Sequence, residues 1–145
     1  MTPAIIERLK AEVTGLQGRV YGLASLAALT AKEAVPTVTP CAHVAPSGII
    51  APTRPPAISG GFVQSIERGA AVFLSLRIHD PNGARALDEA AGLIDAIILA
   101  IAGWEPTPDA IGVFEFRHSA LRTLERGVAI YEIAFSLPDQ LRINR

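Results

Sequence analysis

Apolar residues recur at three- and four-residue steps in two stretches of the chain, which is the spacing of an amphipathic helix. In the N-terminal stretch, Ile5, Ile6, Leu9 and Val13 fall on one side of a helix over residues 3–13, with Thr2 as its cap. The longer stretch predicts a helix over residues 84–102, with an apolar face of Leu87, Ala90, Ala91, Ile94, Ile97, Ile98 and Ile101. Gly103 is placed to end it in a left-handed conformation.

Alternating or continuous apolar runs predict strands between and after these helices. "RVYGL" favours a short strand followed by a second short helix over residues 23–32, and "CAHVAP" a strand of about five residues. "FVQSIERGAAVFLSLRI" predicts a hairpin that turns at Arg68-Gly69, and the similar "LERGVAIYEIAFSL" predicts a turn at Arg126-Gly127. Residues 138–145 are expected to form a short polar tail.

A proline- and glycine-rich stretch over about residues 45–61, "APSGIIAPTRPPAISGG", separates two predicted strands. A loop of this length in a small domain is usually functional or disordered. Ile49 and Ile50 lie in it without an obvious core to join, so they either pack on a partner or belong to a flexible hairpin tip.

Together these elements predict a single α+β domain over residues 1–145. Its mainly antiparallel sheet of hairpins would pack against one long helix and a short N-terminal helix. The strands are apolar on both faces, and one long helix cannot cover both. The surplus apolar surface favours oligomerisation.

Composition narrows the class of protein further. With 145 residues and a net charge of −1, the chain has no basic surplus of the kind that nucleic-acid binding needs. Cys41 is the one cysteine, so no disulfide can form within the chain. The most apolar stretch, residues 90–104, is too short to span a membrane, and the charged N-terminus is unlike a signal peptide. We therefore expect a soluble protein made in the cytoplasm.

No pattern in the sequence predicts chemistry. His43, His79 and His118 are dispersed, and no phosphate-binding loop is present. Cys41 fits a small buried hydrophobe better than a nucleophile, because His43 is two residues away on the same strand. The sequence predicts no enzyme, no catalytic or metal-binding residue, and no cofactor.

Three passages resemble the tail terminator proteins of long-tailed bacteriophages and prophages, the family of proteins similar to minor tail protein U. They are "IIERLKAEVTGLQGRVYGLASLAAL", "GARALDEAAGLIDAIILAIAGWEP" and "GVFEFRHSALRTLERGVAIYEIAFSLPDQLRI". The resemblance implies a structural virion protein at the head-proximal end of the tail, assembled in the host cytoplasm. It implies a homo-hexameric ring that caps the tail tube, ends its polymerisation and joins the head connector or stopper protein. DNA would pass through this ring without being read, and no membrane would be involved.

Two other classes remain open at this point: another head–tail joining or tail tube protein, and a small ligand-binding α+β module. The expected contact residues are apolar or cationic positions in the loops and at the chain end. Each of the charged ones could equally be an ordinary solvated side chain. They are Ile49, Ile50, Arg54, Arg68, Arg126, Arg142 and Arg145.

Overall fold

The computed structural model describes residues 1–52, 60–79 and 83–144, and these form a single α+β domain. Within these ranges, three α-helices, one turn of 3₁₀-helix (Thr14–Leu16) and five strands follow one another, which confirms the predicted fold class. The α-helices and strands are α1 (Thr2–Glu12), β1 (Val20–Tyr21), α2 (Leu23–Ala31), β2 (Cys41–Ile50), β3 (Gly61–Arg77), α3 (Ala84–Ile101), β4 (Glu115–Glu125) and β5 (Val128–Asn144).

The five strands form one sheet in the order β1-β2-β3-β5-β4. The pairing of β1 with β2 is parallel, and the other three pairings are antiparallel. At about 3.3 Å per residue, the 17-residue strands β3 and β5 are each about 55 Å long. Only part of this length is flanked by the shorter strands β2 and β4.

The main core lies between one face of the sheet, here called the first face, and helices α1 and α3. Alternate residues of β3, among them Val72 and Leu74, are fully buried on this face. Their neighbours on β5 include Ile133 and Phe135. The helices contribute Ile5, Leu9, Leu93, Ile97 and Ile101.

Helix α2 covers part of the opposite, second face of the sheet. Its Leu26 and Leu29 share a cavity of about 330 Å³ with His43, Phe73 and Ile130 from three strands. Two contacts fasten the segment after α2 to the sheet. Arg126 donates a hydrogen bond to the carbonyl oxygen of Glu33 at 2.7 Å, and the backbone N–H of Arg77 donates to Thr39 Oγ1 at 3.2 Å.

The long helix is confirmed, and Ala90, Ile97 and Ile101 are buried as predicted, but the buried side only partly overlaps the predicted face. Leu87 and Ala91 are exposed, whereas Ala86, Leu93 and Ala100 are buried. The helix is apolar around most of its circumference, so periodicity alone did not fix which side meets the sheet. Gly103 has the expected positive φ of 78°. Thr2 is the first residue of α1 rather than its cap, and Met1 occupies the N-cap position without a side-chain hydrogen bond.

Three strand predictions are wrong in the same direction, because each strand is longer than expected. Residues 61–77 form one continuous strand with no turn at Arg68-Gly69. The predicted loop begins later, since β2 runs to Ile50. The predicted polar tail is the end of β5, which continues to Asn144. The second hairpin is confirmed, with its turn at Arg126-Gly127.

None of the helices in the described ranges is long and apolar enough to cross a membrane.

Candidate assembly surfaces

The paired ends of the two longest strands extend beyond the rest of the sheet. Residues 61–66 of β3 pair with residues 139–144 of β5, whereas β2 ends opposite Glu67 and β4 begins opposite Ser136. We call this two-stranded ribbon the arm. It carries Phe62, Val63, Leu141 and Ile143, and Val63 is 50% exposed. An isolated two-stranded ribbon is marginally stable in water, so the arm is a natural contact segment.

An ion pair holds the base of the arm. Arg68 Nε lies 2.5 Å from Asp139 Oδ2, and the backbone N–H of Gln140 donates to Asp139 Oδ1 at 2.8 Å. The hydrogen bond from Arg68, together with the one from Gln140, lowers the pKa of the Asp139 carboxyl. Further along the arm, Arg142 donates to Gln140 Oε1 at 2.8 Å.

Next to the arm, the second face of the sheet forms an open groove of about 420 Å³, here called the distal groove. Ile49 and Ile50 form part of its lining and are 57% and 62% exposed. The complete lining is Ser47, Gly48, Ile49, Ile50, Glu67, Gly69, Arg117, His118, Ala134, Phe135 and Ser136. Large apolar side chains that remain this exposed in a groove mark a surface for contact with another protein.

Arg117 crosses the distal groove and connects three strands. Its guanidinium lies 2.8 Å from Glu67 Oε1 on β3 and 3.2 Å from Glu115 Oε2 on its own strand. Its Nε donates to Ser136 Oγ on β5 at 2.6 Å. The register of β4 shifts between Phe116 and His118, which leaves Arg117 as the extra residue of a β-bulge. Arg117 was not predicted from the sequence, because "FEFRHSAL" carries no glycine or proline that would have indicated a bulge.

A third surface surrounds α2, in which no residue is buried although most are alanine or leucine. Leu23 is 51% exposed. An open pocket of about 360 Å³, here called the α2 pocket, separates this helix from the following loop. Its lining is Tyr21, Ser25, Ala28, Leu29, Lys32, Pro36, Thr37, Val38, Cys41 and His43.

The expected contact residues do not form one site. Ile49 pairs with Arg68 across neighbouring strands, and Arg142 lies on the arm that begins there. Arg126 is at the other end of β5, in the β4–β5 turn, where it is held by the Glu33 carbonyl. Arg54 and Arg145 lie outside the described residues.

In the described part of the chain, cysteine and histidine side chains, which often serve as nucleophiles, bases or metal ligands, are far apart or are held in structural contacts. Burial raises the pKa of the Cys41 thiol and lowers that of His43, whose ring centroid lies 5.3 Å from that of Tyr21. His118 Nε2 is 3.9 Å from Glu132 Oε1, next to the pair between Arg122 and Glu132. Within residues 1–52, 60–79 and 83–144, no group of three or more His, Cys, Asp or Glu side chains could hold a metal ion.

Known proteins with the same fold or family pattern indicate where such a chain is found. A solved structure titled "Virion of native gene transfer agent (GTA) particle" contains a chain with the same fold. Its TM-score is 0.59 at 16% sequence identity, and the match covers 97% of this chain and 95% of that one. No curated protein matches the chain by sequence. Residues 1–145 match the family described as "Phage tail terminator protein" over their whole length. The chain therefore belongs to the phage tail terminator family and is a structural protein of the virion tail.

Proposed function

We propose that this chain is the terminator of a tail tube. Six copies would form a ring on the last ring of the tube, end its polymerisation and present a joining surface to the head connector or stopper protein. The observation that carries the proposal is the family match over all 145 residues. The gene transfer agent particle whose chain shares the fold is itself a virion, which supports a place in the assembled particle.

The arm and the distal groove support a role in contact with partner proteins. Both lie at the same end of the long strands β3 and β5, and both expose apolar side chains. Val63 and Leu141 of the arm are exposed, as are Ile49 and Ile50 of the groove. A partner that covered these side chains would remove apolar surface from water, at about 25 cal/mol per Å². We assign this end of strands β3 and β5 to the contact with the tube or the connector.

A capping function requires surfaces and geometry rather than catalytic groups. It needs one set of contacts between neighbouring copies, since a ring is built from head-to-tail interfaces. It also needs a different set for the tube on one side and for the connector on the other. The proposal includes no enzyme activity and no cofactor, and DNA would pass through the ring without base-specific contacts.

The direct test is the length of tail tubes assembled with and without this protein. Tube protein assembled with its initiation complex in the absence of the chain should give tubes of uncontrolled length. Addition of the purified chain should end growth and leave an additional ring at one end, visible by negative-stain electron microscopy. Tubes that continue to grow in the presence of excess chain would contradict the terminator function.

The same preparation separates the alternatives. The purified chain alone should remain monomeric or form discrete hexamers. Long tubes formed by the chain alone would identify a tube subunit instead. Binding to a purified connector without any effect on tube length would identify another head–tail joining protein.

A further inference from the structure

We infer that neighbouring copies contact each other through the α2 pocket of one copy and the outer side of α3 of the next. The side chain of Leu99 would enter the α2 pocket, and Asp95 would pair with Lys32 at its rim. This inference rests on the ring proposed above and identifies the contact between its subunits. The α2 pocket is therefore occupied by a second copy of this chain.

The α2 pocket is apolar and open. Leu29, Val38 and Tyr21 contribute to its lining, and Val38 and Tyr21 are themselves exposed. A helix that is apolar on all sides is normally buried, yet α2 has no buried residue. The surface around α2 is therefore left uncovered by the residues that the structure describes.

The outer side of α3 carries a side chain suited to this pocket. Leu99 is 81% exposed, the highest value among the exposed large hydrophobic residues. Asp95 lies one helical turn before it on the same side, because residues four apart are neighbours on a helix surface. The exposed small residues Ala91 and Gly92 continue this side, so a second protein surface could approach the helix closely.

The charges of the two surfaces are complementary. Of the described residues that line the α2 pocket, Lys32 alone carries a fixed charge. On α3, Asp88 and Asp95 lie on the exposed side. The ion pairs among the described residues include neither Lys32 nor Asp95. Each charge is available for a partner of opposite sign.

The positions of the two surfaces suit a ring. Helix α3 packs on the first face of the sheet, and α2 lies on the second. Two different surfaces on opposite faces of one chain produce a head-to-tail contact, which closes into a ring if the rotation between copies allows it.

Charge reversal tests this contact in the full-length chain. We would measure self-association by sedimentation velocity from about 1 μM to about 1 mM, a range that covers weak and moderate affinities. Asp95→Lys and Lys32→Glu alone should each raise the midpoint concentration of assembly about tenfold, because each replaces an attraction by a repulsion. The double variant should return to within about threefold of the wild type, because the pair is restored with its signs exchanged.

Two further variants separate this contact from a general effect of charge or folding. Asp109→Lys makes the same change at an exposed acidic residue in the loop before β4, and it should leave assembly unchanged. Leu99→Gln should weaken assembly while leaving the thermal unfolding of the monomer unchanged, because Leu99 is exposed in the single chain and glutamine has a helix propensity close to that of leucine.

Single reversals that assemble like the wild type, or a double variant that assembles no better than the single ones, would overturn the inference. A wild-type chain that stays monomeric over the whole range, with single reversals that cap tubes as well as the wild type does, would also overturn it. In either case the proposed function is tested separately by the tube-length assay, because failure of this contact between copies does not contradict capping.

Discussion

At the scale of single residues, Asp139 links the arm to the body of the domain. Its carboxylate accepts from Arg68 Nε and from the backbone N–H of Gln140, at the point where β5 passes from the five-stranded sheet into the arm. The side chains of Arg68 and Asp139 are about one-third exposed, at 39% and 32%. Solvent therefore screens the pair, and its contribution to stability is expected to be below about 1 kcal/mol.

The lowered pKa of Asp139 predicts a specific pH dependence. A carboxyl whose pKa is lower in the folded chain stabilises the fold above its unfolded pKa of about 3.9 and loses this contribution as the pH falls through the folded value. Asp139→Asn should therefore reduce the free energy of unfolding at pH 7, and the difference from the wild type should disappear at acid pH. Urea unfolding at pH 7 and at pH 3 measures both values.

Asp95→Asn is the matched control for this experiment, since Asp95 belongs to no ion pair among the described residues. It should leave the free energy of unfolding of the monomer unchanged at both pH values. A difference between Asp139→Asn and the wild type that does not decrease between pH 7 and pH 3 would assign the effect to packing rather than to the ion pair.

At the scale of elements, the two Glu-Arg-Gly segments adopt different structures. Arg126 and Gly127 both have positive φ, 53° and 75°, and form the two-residue turn between β4 and β5. In the other segment, Arg68 and Gly69 lie in the middle of β3, where Gly69 pairs with Ser136 on one side and with Gly48 on the other. A Cβ atom at Gly69 would collide with Ser47 Oγ, next to the irregularity in β2.

This difference predicts unequal effects of alanine at the two glycines. Gly127→Ala should lower the free energy of unfolding by about 1–2 kcal/mol, because a side chain disfavours left-handed backbone. Gly69→Ala should cost less, because its backbone is extended and the exposed Ser47 hydroxyl can rotate away. When Ser47→Ala is combined with Gly69→Ala, the remaining loss of unfolding free energy should disappear, because the colliding hydroxyl is absent. Chemical denaturation measures all three, and equal losses at the two glycines would contradict the assignment of Gly69 to a continuous strand.

The sequence predicted the kinds of elements better than their lengths. Helical periodicity identified α1 and α3, and the apolar runs located strands β1, β2, β3 and β5. The lengths of β3 and β5 depend on pairing between residues that are far apart in sequence: Gly61 pairs with Asn144. No local pattern distinguishes a glycine in a turn from a glycine under a neighbouring side chain, so the turn at Gly69 was predicted wrongly. The distal groove was missed for the same reason, because the bulge at Arg117 depends on its pairing with β5.

At the scale of the whole molecule, the exposed apolar residues fall into separate regions with different geometry. The helices present Leu23 and Leu99 on opposite faces of the sheet, as contacts between neighbouring copies require. The arm and the distal groove lie together at one end of the long strands. If the helices join the copies and this end binds the tube or connector, ring formation and capping should be separable by mutation.

Ile50→Asp tests this separation in the distal groove. Ile50 is 62% exposed at the end of β2, so the substitution should leave self-association unchanged and should lower the free energy of unfolding by no more than about 1 kcal/mol, because the new carboxylate lies opposite Glu67. A charge at this position would prevent burial of the apolar side chain against a partner, a loss of about 1.5–3 kcal/mol that corresponds to at least tenfold weaker capping. Leu124→Asp makes the same kind of change at a residue of equal exposure, 62%, next to the β4–β5 turn at the other end of β5 from the arm and groove, and it should cap normally. The length of assembled tubes gives the capping activity of each variant, and mass photometry gives its oligomeric state.

An Ile50→Asp variant that caps as well as the wild type would remove the distal groove from the partner contact, whereas one that fails to form rings would place the groove between copies of the chain.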